Sequence, residues 1–179
     1  RQLLDGLKVE DNSSLEVPSW NQVAMLGYYT LAENDELLRK YYETVLVAIR
    51  KRILLEADKL LEGLSDSRYQ CIMGLSAKDF VWGSNAVAAN QAMLMLKAYR
   101  LNPDQKYLNA AWSNFDYILG RNATGYSFVT GYGGKTPMHI HHRPSEADGI
   151  AEPVPGLLAG GPNPGRQDKC TYPSLVPDE

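Results

Sequence analysis

The chain has 179 residues, of which 44% are hydrophobic and 22% charged, and its formal net charge is −3. That length suits one ordinary domain with a single core, and the apolar content excludes a disordered chain. The slight negative charge gives no attraction for nucleic acid or an anionic membrane, and no run of about 18 apolar residues reads as a membrane-spanning helix. The chain begins at Arg1 without a charged-then-apolar leader, so any secretion signal is expected to have been removed or to lie upstream.

Helices are expected from residue 18 to 119. Ser19, with Gln22 three residues on, reads as a capping box that opens a helix running to about Leu31. A second helix is predicted from about Asp35. Its apolar residues Leu38, Tyr42, Val45, Ile49, Ile53, Ala57, Leu60 and Leu64 recur at steps of three or four, opposite a charge-rich face, so it reads as an outer helix. The stretch SNAVAANQAMLMLKAY, residues 84–99, is uncharged until Lys97 and reads as a helix buried almost all round. A last helix takes Asn102 as N-cap and Pro103 as its first residue, turns Leu108, Ala111, Trp112, Phe115, Ile118 and Leu119 inward, and stops at Gly120. Cys71 and Cys170 allow one disulfide or two separate thiols and fit no zinc-ligand spacing.

Beyond Gly120 the composition changes, with 10 of the 15 glycines and 8 of the 10 prolines in residues 120–179. Regular helix is not expected there. Tyr126, Phe128, Tyr132, Leu157 and Leu158 speak for an ordered loop system covering one end of the helices.

Within that system SFVTGYGGKTPMHIHHR, residues 127–143, ends in three histidines and an arginine. His139, His141 and His142 invite a metal reading. No acidic residue is obviously placed as a further ligand, however, and Arg143 would set a fixed positive charge beside the cation. A second reading has the imidazoles hydrogen-bonding loop backbone. A third makes them, with Arg143, a site for a neutral, hydroxyl-rich ligand such as a sugar, in which imidazole and guanidinium supply hydrogen bonds and stabilise developing charge. Trp20 and Trp82, each near a helix start, could then stack on a pyranose ring, although a lone Trp is more often core.

The same stretch resembles the signature of glycoside hydrolase family 9, the inverting cellulases. Ser127, Val129, Thr130, Gly133, Lys135, Ile140, His141 and Arg143 fall where that pattern requires them. The resemblance continues through FVWGSN, YILGRNATGYS and HHRPSEADGIAEPVPGLLAGGPNP, covering residues 80–173 strongly and the earlier helices loosely. It implies an all-α fold, an (α/α)6 barrel, with about half of the barrel and the long Gly/Pro-rich loop region present here. Residues 1–179 would be part of a single catalytic domain. It assigns His141 as the active-site histidine, Arg143 as its partner on glucose, Trp82 and more loosely Trp20 as sugar-stacking residues, and Tyr126 as a further substrate contact. It implies no cofactor, a secreted or periplasmic enzyme, and two partners: a β-glucan and the remainder of the domain.

The chain departs from the family in lacking its catalytic carboxylates. Neither the Asp-Ala-Gly-Asp-like motif that activates water nor the Glu following an Asn that protonates the leaving oxygen occurs in these 179 residues. The expected activity is therefore endo-acting hydrolysis of β-1,4-glucans by a larger domain. The alternatives are a glycan-binding protein with a degenerate cleft and an exo-acting glucosidase on short oligosaccharides.

Overall fold

The computed structural model describes residues 16–164. Residues 19–22 form a closed turn in place of the expected capping box. Ser19 N–H donates to Gln22 O (2.8 Å), Gln22 N–H donates to Ser19 O (3.2 Å), and the Ser19 hydroxyl turns aside to Asn21 Oδ1 (2.8 Å). These reciprocal bonds use the groups a cap would need, so helix α1 begins later and spans Ala24–Glu33.

Helix α2, Asp35–Leu61, starts where expected. It bends at Tyr42, whose φ of −142° and ψ of 32° break the helical path. Beyond the bend the predicted stripe is buried, with Ile49, Ile53 and Ala57 at 0% exposure. A fully buried Ile contributes about 1.5–3 kcal/mol, enough for this stripe to fix which side of α2 faces the core. Two 3-10 turns, Leu64–Asp66 and Ala77–Asp79, lead to helix α3, Ser84–Leu101.

Helix α4 spans Gln105–Ile118. Its cap is Asp104, whose carboxylate accepts from Lys106 N–H at 3.0 Å, and not Asn102. Asn102 is instead the carbonyl partner of Asp104 N–H (2.7 Å), which leaves Pro103 in the connecting turn and not at the first helical position.

Consecutive helices pack on one another, and contacts at both ends set α1 and α3 side by side and parallel. Asn90 of α3 donates to Pro18 O (2.8 Å) beside the start of α1, while Lys97 and Arg100 of α3 hold Glu33 at its end, Arg100 at 2.9 Å. The hydrogen bond from Lys97 holds the Glu33 carboxyl below its ordinary range. The beginnings of α1 and α3 therefore lie at one end of the molecule, and the loop system covers that end.

The main core joins Met25 and Tyr29, Ile49 and Ile53, Leu94 and Met95, and Tyr107 and Ala110, drawing on all four long helices. A second cluster of Cys71, Met73, Ala88, Tyr117, Ile118 and Phe128 lies under the loops, and Cys71 is a buried free thiol. Cys170 lies outside the described residues.

Between the clusters sits Asn114, fully buried. Its Oδ1 accepts from Ile72 N–H (2.8 Å) and Met73 N–H (3.1 Å), and its Nδ2 donates to Ala88 O (3.0 Å) and Gln91 Oε1 (3.0 Å). Each buried polar group left without a partner costs about 1–3 kcal/mol. Asn114→Ala removes the partner of the Ile72 and Met73 N–H groups and of Gln91 Oε1, whereas Ala88 O keeps its place within α3, so urea unfolding of the complete polypeptide is expected to show a loss of about 3 kcal/mol or more. A loss below about 1 kcal/mol would mean that water replaces the amide and that the hub is not structural.

Two expected inward faces are open. Trp112 is 60% exposed, Phe115 48% and Leu119 40%, while α4 buries Tyr107, Ala110, Ala111, Asn114, Tyr117 and Ile118. Met93 and Leu96 of α3 are likewise exposed, so α3 is not enclosed on every side. Trp112 and Phe115 meet edge to face at 6.3 Å, and with Ala92, Leu96 and Ala111 they line an apolar groove of about 280 Å³. Sequence periodicity marks apolar positions but does not say which of them the chain itself covers.

Candidate active site

The loop system starts from Asn122, which sequence reasoning did not single out. Its amide donates to Tyr117 O (2.7 Å) and Tyr126 O (2.8 Å) and accepts from the N–H (3.0 Å) and hydroxyl (2.7 Å) of Thr124. This ties the turn to the end of α4. Phe128 N–H then donates to Ile118 O (2.8 Å), and its ring packs on Tyr117 with centroids 5.9 Å apart. Burial pushes the Tyr117 hydroxyl up to about 12.

Residues 128–130 pair with 154–159 around an isolated antiparallel bridge, Val129 to Leu158. Thr130, fully buried, is the knot. Its N–H donates to Leu157 O (3.0 Å), its carbonyl accepts from Gly156 N–H (2.8 Å), and its hydroxyl donates to Val154 O (2.6 Å) while accepting from Leu157 N–H (2.9 Å). Gly133 has φ +106°, and a Cβ there would stand 2.9 Å from Ser127 Cβ, which gives a packing reason for Ser and Gly at these two positions.

The far strand of the pair closes onto α3. Asn85 N–H donates to Gly160 O (3.0 Å), Asn85 Nδ2 to Ala159 O (2.9 Å) and the Ser84 hydroxyl to Pro162 O (2.7 Å). Gly161, at φ +99°, passes so near that a Cβ would stand 2.5 Å from Ser84 Oγ. Gly161→Ala must strain the backbone and displace these contacts, and is expected to lower stability of the complete polypeptide by about 1–3 kcal/mol and to reduce activity. Unchanged melting and activity would show that residues 159–162 adapt freely.

An open cavity of about 430 Å³ lies in the loops, with His139, His141, Ser145 and Glu146 as its polar lining and Met138, Ile140, Ile150, Ala151 and Pro153 as the apolar remainder. Arg143 opens helix α5, Arg143–Ala147, a five-residue turn where no regular helix was expected. Pro144 at its start fixes a helical φ, which is the signal that could have revealed it. His142 departs from its two neighbours: it is half-buried and its Nδ1 lies 2.9 Å from Ser145 Oγ. His142 thus bonds within the loop, to a side-chain hydroxyl where one reading had backbone, while His139 and His141 line the cavity. Among the described residues no group of three His, Cys, Asp or Glu is gathered to hold a metal ion.

Trp20, on the turn and not inside the helix as expected, is 88% exposed, and Trp82, just before the left-handed Gly83 that opens α3, is 64% exposed. Both project at the loop end of the parallel helices α1 and α3. Neither lines the cavity, nor does Tyr126, which is exposed with Lys135 Nζ 6.0 Å from its ring centroid. Ser145 and Glu146 are wall residues to which sequence reasoning gave no site role.

Helices packed in chain order, with a loop system and a histidine-lined cavity at one end, are the arrangement of a helical barrel. The chain belongs to Glycosyl hydrolase family 9, whose sequence profile matches residues 5–173. It is 41% identical over 163 residues to the xyloglucan-specific endo-beta-1,4-glucanase BoGH9A of Bacteroides ovatus, covering 90% of this chain and 28% of that protein. It is 36% identical over 150 residues to a cellodextrinase of Butyrivibrio fibrisolvens, covering 84% and 26%. A solved Bacteroides ovatus GH9 structure superposes with a TM-score of 0.79 at 39% identity, over 83% of this chain and 27% of that one. The fold is therefore part of an (α/α)6 barrel, and the chain spans little more than a quarter of these relatives.

Proposed function

We propose that residues 1–179 are part of a single catalytic domain whose complete polypeptide is a secreted endo-acting β-1,4-glucanase that cleaves with inversion. The observation that carries this reading is His141 on the wall of an open cavity, two residues before Arg143, at the helix end from which Trp20 and Trp82 project. Family membership supports it, as does the printed activity of the Bacteroides ovatus relative.

In an inverting mechanism one carboxylate draws a proton from water while a second carboxyl protonates the leaving oxygen, the two standing about 6.5–9.5 Å apart. The rest of the polypeptide supplies those groups. In this chain His141 donates a hydrogen bond where charge develops on the sugar, Arg143 binds hydroxyls beside the cleavage point, and Trp20, Trp82 and Tyr126 offer ring faces to successive sugars.

The test is reducing-sugar release by the complete polypeptide from soluble cellulose derivatives and xyloglucan, with product sizes followed over time. Early fragments of many lengths are expected. Binding without release would make it a glycan-binding protein, and release from short oligosaccharides alone would make it exo-acting. Trp82→Ala is expected to weaken oligosaccharide affinity by about 1 kcal/mol, the scale of about 40 Å² of apolar surface shielded at about 25 cal/mol per Å², while leaving melting nearly unchanged, since most of the indole lies in solvent. Unfolding with normal affinity after refolding would return the indole to the core.

A further inference from the structure

His142 separates the two residues assigned to sugar. Its backbone is extended, with φ −136° and ψ 99°, which turns successive side chains to opposite sides and sets the neighbours His141 and Arg143 apart from it. Their exposure follows that alternation: His141 and Arg143 are exposed and His142 is half-buried. What holds His142 therefore sets the aim of both neighbours.

Three contacts hold it. Its N–H donates to Ile140 O (2.8 Å), its carbonyl accepts from Glu146 N–H (3.1 Å), and its ring Nδ1 meets Ser145 Oγ at 2.9 Å. Ser145 Oγ also accepts from Val154 N–H at 3.0 Å, and the carbonyl of the same Val154 accepts from the buried Thr130 hydroxyl at 2.6 Å. A continuous chain of hydrogen bonds thus runs from Thr130, the knot of the loop pairing, through both ends of Val154 and Ser145 to the imidazole of His142. A serine hydroxyl has one proton and two lone pairs, and the Val154 N–H occupies one lone pair, so Oγ can either donate to His142 Nδ1 or accept from it; in the first arrangement the ring proton resides on Nε2.

We infer that Ser145 is a positioning residue: by donating to His142 Nδ1 while anchored on Val154, it sets the orientation of the flanking His141 and Arg143. Its role in turnover rests on the hydrolase reading above, whereas the ring tautomer does not. The experiment compares the complete polypeptide with Ser145→Ala and Ser145→Thr on a soluble β-1,4-glucan, and reads the His142 ring by ¹⁵N magnetic resonance.

Ser145→Ala is expected to lower kcat by roughly ten- to a hundredfold with little change in KM, the scale of an ångström-level misplacement of a reacting group. Ser145→Thr, which keeps the hydroxyl, restores most of it. The wild-type His142 resonances are expected to be those of an Nε2–H ring with an accepting Nδ1, and to move in Ser145→Ala. Wild-type kcat in Ser145→Ala, no advantage of Thr over Ala, or an Nδ1–H ring each overturns the inference. Should Ser145→Ala not fold, Ser145→Thr and the wild-type tautomer still decide it. If the wild-type polypeptide cleaves no β-1,4-glucan, the hydrolase reading falls and the tautomer and its response to Ser145→Thr judge the hydrogen-bond chain alone.

Discussion

His141→Ala in the complete polypeptide is expected to lower kcat by about 10²- to 10³-fold, the cost of removing one preorganised donor at developing charge, roughly 2.7–4 kcal/mol. The melting temperature should scarcely move. The side chain is exposed on the cavity wall and belongs to neither apolar cluster, so its loss opens no void in the core. His142, one residue on, is tied into the loop by Ser145 and should behave differently, losing stability as well as rate. A pair of kinetic and melting measurements on the two variants separates reacting from supporting imidazole. Near-normal turnover in His141→Ala would make that residue a passive part of the wall.

The contrast between these adjacent histidines shows what one sequence makes legible. Residue types and spacing marked His139, His141, His142 and Arg143 as a group, and the resemblance chose His141 and Arg143 from it. Which imidazole bonds the loop depends on Ser145 and Val154, 3 and 12 residues from His142, and no local pattern encodes that pairing. The long helix α2 was legible because its stripe of buried residues repeats at helical spacing over several turns. The starts of α1 and α4 were not, because Ser19 and Asn102 satisfy the rules for caps yet spend their polar groups on turns. Asn114 and Thr130 illustrate a further limit: nothing in a linear pattern marks a polar residue that ties together backbone from separate segments.

Trp112 and Phe115 failed for another reason, and it leads to the second large effect. Produced by itself, the 179-residue chain is expected to cleave no β-1,4-glucan and to aggregate. Inverting hydrolysis needs both a base and an acid, and the family's carboxylate motifs are absent from these residues. His141 and Arg143 can at most bind sugar weakly. The aggregation follows from the open groove of Ala92, Leu96, Ala111, Trp112 and Phe115, with Met93 exposed on the same helix as Leu96. Helices here pack in chain order, so a bare face beside α4 is where a neighbouring helix of a complete barrel belongs, and a contiguous apolar patch left in water promotes association. The test is to produce the chain alone, measure its oligomeric state and its activity, and then add the remaining segments of the complete polypeptide and follow hydrolysis. Recovery on mixing is the expected result. A monodisperse, stable monomer would show that the groove needs no cover. Full activity without the added segments would overturn the assignment of the carboxylates and move the search to Glu146, Asp148 and Glu152, of which Glu146 already lines the cavity beside His141.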